Sequence, residues 1–145
     1  MKISIIIPCY NEVKTLNLII EKIINKKNLD KEIIIVDDFS DDGSRDIIKN
    51  ELSEKVTKIL YNDKNYGKGY SVRKGISVST GDIVLIQDAD LEYSPDDYEK
   101  LLKPILDGHA DVVYGSRFKS SEITRVLYFW HTLGNKFLTL FSNML

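Results

Sequence analysis

Isoleucine dominates the first apolar run, residues 3–8, which ends at Cys9-Tyr10-Asn11 and so predicts a strand buried on both faces. Leu16, Ile19, Ile20, Ile23 and Ile24 then recur at helical spacing, ahead of a polar stretch over 26–31. The alternation repeats. Residues 33–36 read as a strand, 44–52 as a helix and 56–60 as a third strand. Residues 67–79 predict a helix, 83–86 a fourth strand, 95–106 a helix with proline in its first turn, and 112–114 a further strand. Strands alternating with helices predict an α/β fold, a mainly parallel sheet flanked by helices and joined by right-handed crossovers. Ligands of such sheets bind outside the carboxyl ends of the strands. The polar clusters Tyr10-Asn11-Glu12, Asp37-Asp38, Asp88-Ala89-Asp90 and Gly115-Ser116-Arg117 all follow predicted strand ends.

Residues 123–145 change the pattern to one long, aromatic-rich helix with a polar stripe through Arg125, Thr132, Lys136, Thr139 and Asn143. No helix-ending glycine or final strand precedes Leu145, which predicts that the natural sequence continues and that the sheet is C-terminally incomplete. The expected organisation is a core over residues 1–120 and an amphipathic helix over 121–145.

At 145 residues the chain is one domain in size, able to bury roughly two-thirds of its unfolded surface. The 20 basic and 22 acidic residues give a net charge of -2, which offers no general attraction for nucleic acid or acidic lipid. An anion must therefore be held locally. Cys9 is the sole cysteine, excluding an internal disulfide and a cysteine-based zinc cluster, and the N-terminus begins a strand pattern without a signal peptide. A cytoplasmic setting is expected. No uninterrupted apolar run approaches about eighteen residues, so membrane contact is expected to be peripheral.

Asp88 and Asp90 flank a small residue, Ala89, just after an apolar strand, a turn able to aim two carboxylates at one hard cation. Mg²⁺ or Mn²⁺ prefers oxygen ligands and keeps waters or phosphates in its shell, so one or two carboxylates suffice, with Glu92 a third candidate. Without a cation, each carboxylate would repel a diphosphate by about 4 kcal/mol at ~4 Å and an effective dielectric near 20. The bland alternative is a turn shaped for the helix at Pro95.

Asp38, and less so Asp37, is placed to accept a hydrogen bond from a base N–H or a ribose hydroxyl. Asp42 and Ser44 fit helix capping instead. Pro8 breaks the first strand and sets Tyr10, Asn11 and Glu12 at the rim; Tyr10 can pack on a nucleobase, and Asn11 can equally cap a helix. In Asn65-Tyr66-Gly67-Lys68-Gly69-Tyr70, backbone N–H groups and Lys68 can meet a phosphate, or the glycines can simply permit a turn. Arg117 and Arg125 suit an anionic acceptor beside the lipophilic helix, against the ordinary reading of solvated arginines. Cys9 reads as a small buried hydrophobe, and His109 and His131 as non-catalytic.

Together Pro8-Cys9-Tyr10-Asn11-Glu12, Val36-Asp37-Asp38-Phe39-Ser40-Asp41-Asp42-Gly43, Asn65-Tyr66-Gly67-Lys68-Gly69 and Gln87-Asp88-Ala89-Asp90 strongly resemble the family 2 glycosyltransferases of the Rossmann-like GT-A fold. Leu91-Glu92-Tyr93-Ser94-Pro95 and Gly115-Ser116-Arg117-Phe118 resemble the dolichyl-phosphate mannosyltransferase and polyprenyl-phosphate glycosyltransferase branch. The resemblance implies that Pro8, Tyr10, Glu12, Val36 and Asp38 hold the nucleotide and that Asp88, Ala89 and Asp90 form the diphosphate and metal site, with Asp90 the direct ligand. It implies that Arg117 lies near the transferred phosphate or sugar and Arg125 beside the lipid phosphate. Glu92 stands where the branch often has glutamine.

The function expected is metal-assisted, inverting transfer of a sugar from a donor of the GDP-mannose or UDP-glucose type to a polyprenyl or dolichyl phosphate, at the inner face of the membrane. Transfer to a saccharide hydroxyl is the alternative within the family, and would need a general base. A receiver-like signalling domain fits poorly. Its acidic pair follows the first strand, whereas here a whole strand-helix unit precedes Asp37-Asp38.

Overall fold

The computed structural model describes residues 1–115. Internal contacts divide the chain into two compact units, Met1–Lys100 and Leu101–Leu145. The first is built on a four-stranded parallel sheet in the order β3-β2-β1-β4, with β1 at Ile3–Cys9, β2 at Lys31–Asp37, β3 at Lys58–Tyr61 and β4 at Ile83–Ile86. The expected parallel α/β architecture is present, and β4 has the bounds expected of it.

β1 lies inside the sheet, so Ile5, Ile6 and Ile7 are fully buried, as the unbroken isoleucine run requires. Proline in a central strand removes a ladder donor. Here that costs nothing, because the β1–β4 pairing ends at Ile6 opposite Ile86, with Gln87 N–H donating to the Ile6 carbonyl, before Pro8 is reached.

Helix α1 (Leu16–Ile24) buries Leu16, Ile19, Ile20 and Ile23, the stripe its periodicity predicts. Over 44–52 the chain is helical as expected, but as a short α2 (Ser44–Ile47) that widens into a π-helical turn, Ile48–Leu52, burying Ile48 and Leu52. β3 starts later than the expected residue 56. Val56 N–H still bonds the Leu52 carbonyl, and pairing begins only after Thr57 N–H reaches Ile33.

Helix α3 runs Lys68–Ile76 rather than 67–79, since Gly67 has φ +86° and cannot be a helical residue. Gly75 brings α3 onto β1: a Cβ there would stand 2.5 Å from Ile6 Cγ2. Residues 95–106 split into a 3₁₀ turn, Pro95–Asp97, capped by Ser94, and helix α4 (Tyr98–Leu106).

At the sheet's other end Glu32, 2% exposed, accepts hydrogen bonds from Ser4 Oγ (2.6 Å), Thr80 N–H (2.5 Å), Thr80 Oγ1 (2.8 Å) and Lys2 Nζ (3.0 Å). Burial raises its pKa, but these four donors prevail and bring it to about 2.

Within the second unit, Pro104 sits inside α4, and its carbonyl accepts the N–H groups of His109 and Ala110 beyond the helix end. Residues 112–114 do not form the expected strand. They are irregular, with Val112 63% and Tyr114 88% exposed, for three apolar residues without a partner strand gain neither burial nor ladder bonds.

Candidate functional site

Parallel register stacks strand ends at one height: Cys9 pairs with Asp37, and Asp37 with Tyr61. The loops leaving these ends and β4 enclose a cleft of about 190 Å³ lined by Pro8, Cys9, Tyr10, Glu12, Asp38, Lys68, Ser71, Asp88, Ala89 and Asp90. Eight of these ten are residues singled out from the sequence for a nucleotide sugar. A larger cleft of about 300 Å³, between residues 25–29 and 95–99, is bridged by the Lys26–Asp96 ion pair and gathers none of the strand-end groups.

Adjacent in sequence, Asp37 and Asp38 face opposite ways, as the strand period of two demands. Asp37 is fully buried, accepts Arg45 Nε at 2.7 Å and receives Ser40 N–H at 3.3 Å. It is a structural anchor, which corrects the expectation of a ribose contact. The Arg45 guanidinium lies 5.3 Å from the Phe39 ring and 5.2 Å from the Tyr61 ring, and donates to the Asn62 carbonyl.

Asp38 lines the cleft. Its Oδ1 accepts Asn62 Nδ2 (2.7 Å) and Tyr66 N–H (2.9 Å), and its Oδ2 accepts Gly67 N–H (2.7 Å). Burial pushes its pKa up, but Tyr66, Asn62, Gly67 and the Ser71 hydroxyl outweigh that and hold it below the usual carboxylate range. A carboxylate offers about four acceptor positions. With Asn62, Tyr66, Gly67 and the Ser71 hydroxyl all serving it, those positions are largely taken. The N–H groups of Tyr66 and Gly67 thus serve Asp38 rather than a phosphate, which corrects that reading of the glycine turn. Among the described residues that line the cleft, Lys68 is the one basic side chain.

The first loop is clamped by the second. Asn11, at φ +57°, exchanges two bonds with Asp41, from its Nδ2 (2.9 Å) and to its Oδ1 (3.0 Å), instead of capping α1. Glu12 N–H reaches Ser44 Oγ at 2.8 Å and Val13 N–H reaches Asp42 Oδ2 at 3.0 Å, so the polar turn over 40–44 holds Tyr10 and Glu12 at the rim. Tyr10 is half exposed, ready to lie on a flat ligand.

Asp88 Oδ1 lies 2.5 Å from Lys68 Nζ, and Asp90 Oδ1 accepts Glu92 N–H at 3.0 Å. Two carboxylates and a lysine therefore meet at one wall of the cleft. Among the described residues no group of three His, Cys, Asp or Glu side chains converges on one point, so Glu92 is not assembled with Asp88 and Asp90 as a third ligand. Val36 is fully buried in β2, paired with Pro8, and does not line the cleft. Arg117 and Arg125 lie outside the described residues. Burial, then the charges of Asp37 and Glu12, push the Cys9 thiol up to about 12, which leaves it inert as a nucleophile.

Three positioning residues were missed. Gln87, 2% exposed, donates from Nε2 to the carbonyls of Asp88 and Tyr93, both at 3.1 Å, closing the 88–93 loop, while its Oε1 accepts Tyr98 Oη at 2.8 Å. Asn62 and Ser71, bonded to each other at 3.0 Å, back Asp38. A polar residue ending an apolar strand is the one available signal for Gln87.

A parallel sheet in this order, with paired carboxylates beyond β4 and a cleft-lining carboxylate beyond β2, defines a GT-A fold. Residues 4–142 match the family model for glycosyl transferase family 2, and the chain belongs to that family. It is 34% identical over 119 residues to a dolichol-phosphate mannosyltransferase of Pyrococcus furiosus, covering 81% of this chain and 34% of that protein. It is 35% identical over 118 residues to an undecaprenyl-phosphate 4-deoxy-4-formamido-L-arabinose transferase of Yersinia enterocolitica, covering 77% and 36%. The chain thus spans about a third of the length of these relatives. Among solved structures, S. aureus TarS 1–349 in complex with UDP-GlcNAc superposes with a TM-score of 0.62 at 25% identity, covering 75% of this chain and 32% of that one. Among the described residues, no helix is long and apolar enough to cross a membrane.

Proposed function

We infer that the cleft holds the nucleoside diphosphate of a sugar donor, with Asp38 on the nucleoside and Asp88 and Asp90 toward the diphosphate. The observation that carries this is the meeting of Asp38, Lys68, Asp88 and Asp90 in one cleft at the strand ends. The donor is of the GDP-mannose or UDP-glucose type, and Tyr10 supplies the aromatic surface for its base.

The two-carboxylate set fits Mg²⁺ or Mn²⁺, hard cations that accept few protein oxygens and fill their shell with phosphate and water. When bound, the cation supplies neutralisation of the leaving diphosphate. Gln87 keeps the Asp88–Asp90 turn in shape for it through the loop closure at 3.1 Å.

The acceptor is a polyprenyl or dolichyl phosphate and the transfer is inverting, a reading supported by family membership and by the two lipid-phosphate transferases to which the chain is similar. A phosphate acceptor is already anionic and requires no general base. In this reading residues 1–120 form the nucleotide-sugar core and 121–145 an amphipathic helix on the acceptor side, at the inner face of the membrane. Arg117 and Arg125 meet the acceptor phosphate there. Incubating the full-length protein with labelled GDP-mannose or UDP-glucose, Mn²⁺ and either polyprenyl phosphate or saccharide acceptors tests the reading. Label should enter the lipid phosphate; exclusive labelling of a saccharide would overturn it.

A further inference from the structure

Lys68 opens α3, and its side chain is 59% exposed while its Nζ rests 2.5 Å from Asp88 Oδ1. Both residues line the strand-end cleft beside Asp90. The geometry points to Lys68 as an exchangeable counter-ion: it occupies Asp88 while the site is empty, yields that carboxylate to the divalent cation, and then turns to the diphosphate. This rests on the donor-site reading above.

Three observations build the case. First, Lys68 is fixed at its base and free at its tip. The preceding N–H groups of Tyr66 and Gly67 are held on Asp38 at 2.9 and 2.7 Å, and Ser71 one turn later is tied to Asn62 at 3.0 Å, so the backbone stays while the exposed side chain swings. Second, the Asp88 side chain is 20% exposed, so it keeps contact with solvent through which a cation can arrive. An exposed ion pair contributes little net stability, and a divalent cation that binds Asp88 and Asp90 together outcompetes a single ammonium. Third, the ammonium displaced from Asp88 is still on the wall of the same cleft, where the anionic diphosphate arrives. Lysine acts on phosphate as a mobile point charge, without the fixed fork of arginine.

The consequence is a pair of effects of opposite sign. Lys68 opposes binding of the cation alone and assists binding of the nucleotide with it. Loading is then ordered, because the cation gains most when a diphosphate is present to receive Lys68.

The test uses Lys68→Met and Lys68→Arg in the full-length protein. Free Mn²⁺ is followed by electron paramagnetic resonance without nucleotide, and GDP and UDP binding by calorimetry in saturating Mn²⁺. Lys68→Met should bind Mn²⁺ alone about two- to fivefold more tightly, the scale of an exposed ion pair, and bind the nucleoside diphosphate about tenfold more weakly. Lys68→Arg, which keeps the charge, should keep both properties of the natural protein. If the natural protein binds a nucleoside diphosphate but Lys68→Met binds Mn²⁺ no more tightly, or both affinities move in the same direction, the exchange alone is overturned. Identical behaviour of Lys68→Arg and Lys68→Met overturns it too, since charge would not be the cause. If the natural protein binds neither GDP nor UDP, the exchange falls together with the donor-site reading.

Discussion

Asn62 Nδ2 donates to Asp38 Oδ1 at 2.7 Å and to Ser71 Oγ at 3.0 Å, while Asn62 Oδ1 accepts Lys74 Nζ at 2.8 Å. A residue 2% exposed thus orients the cleft-lining Asp38 carboxylate from behind. Asn62→Leu strips Asp38 and Lys74 of these bonds in a buried setting, and a loss of about 1–3 kcal/mol of stability is expected. Nucleoside diphosphate affinity should fall as well, even at temperatures where the variant is fully folded. Urea denaturation and calorimetry at 15 °C separate the two effects.

Asp90→Ala should abolish Mn²⁺-dependent binding of nucleoside diphosphate while leaving the fold intact, since the carboxylate's recorded bond is to the N–H of Glu92 in an exposed turn. Titrations with Mn²⁺ and with EDTA check this; affinity and metal dependence equal to the natural protein's would remove Asp90 as a ligand.

Glu32 makes stability acid-sensitive. Its folded pKa is depressed to about 2 from 4.5, so its contribution is fully present above the unfolded value and is lost as the pH falls from about 4.5 toward 2. Asp38 and Asp42, also depressed, act with the same sign. Glu32→Gln should be clearly less stable than the natural protein at pH 7, with the gap closing below pH ~4 in urea melts taken across that range.

Two glycines should respond differently to alanine. At Gly81 the new Cβ would stand 2.7 Å from the backbone nitrogen of Ser4 and 2.8 Å from the Lys2 carbonyl, atoms held in the sheet, so about 1–3 kcal/mol or more is lost. At Gly75 the clash is with the Ile6 side chain at 2.5 Å, and alanine's helix preference of about 1 kcal/mol offsets part of the overpacking. Gly81→Ala should therefore melt lower than Gly75→Ala.

Cys9 should resist iodoacetamide at pH 8 in the native protein and react once unfolded, because a thiol buried and raised to about 12 offers almost no thiolate there. Mass spectrometry with and without urea reads the difference.

The sequence by itself determined the order of strands and helices through β4 and α4, because apolar periodicity reports which face of an element is buried. It also located the cleft, since residues at strand ends in a parallel sheet meet on one rim whatever their distance along the chain. Arg117 and Arg125 lie outside the described residues, and Glu92 was not assembled with the carboxylate pair. Only the tertiary structure decided which polar residues face the ligand space and which hold the walls. Asp37 and Asp38 read alike in the sequence, yet one is sealed against Arg45 and the other opens on the cleft. The partners that decide this, Asn62 and Gly67 for Asp38, are 24 and 29 positions away. The same is true of Lys68 and Asp88. Hydrogen bonds and ion pairs depend on distances of about 3 Å, which follow from strand register and helix packing and leave no trace in local periodicity.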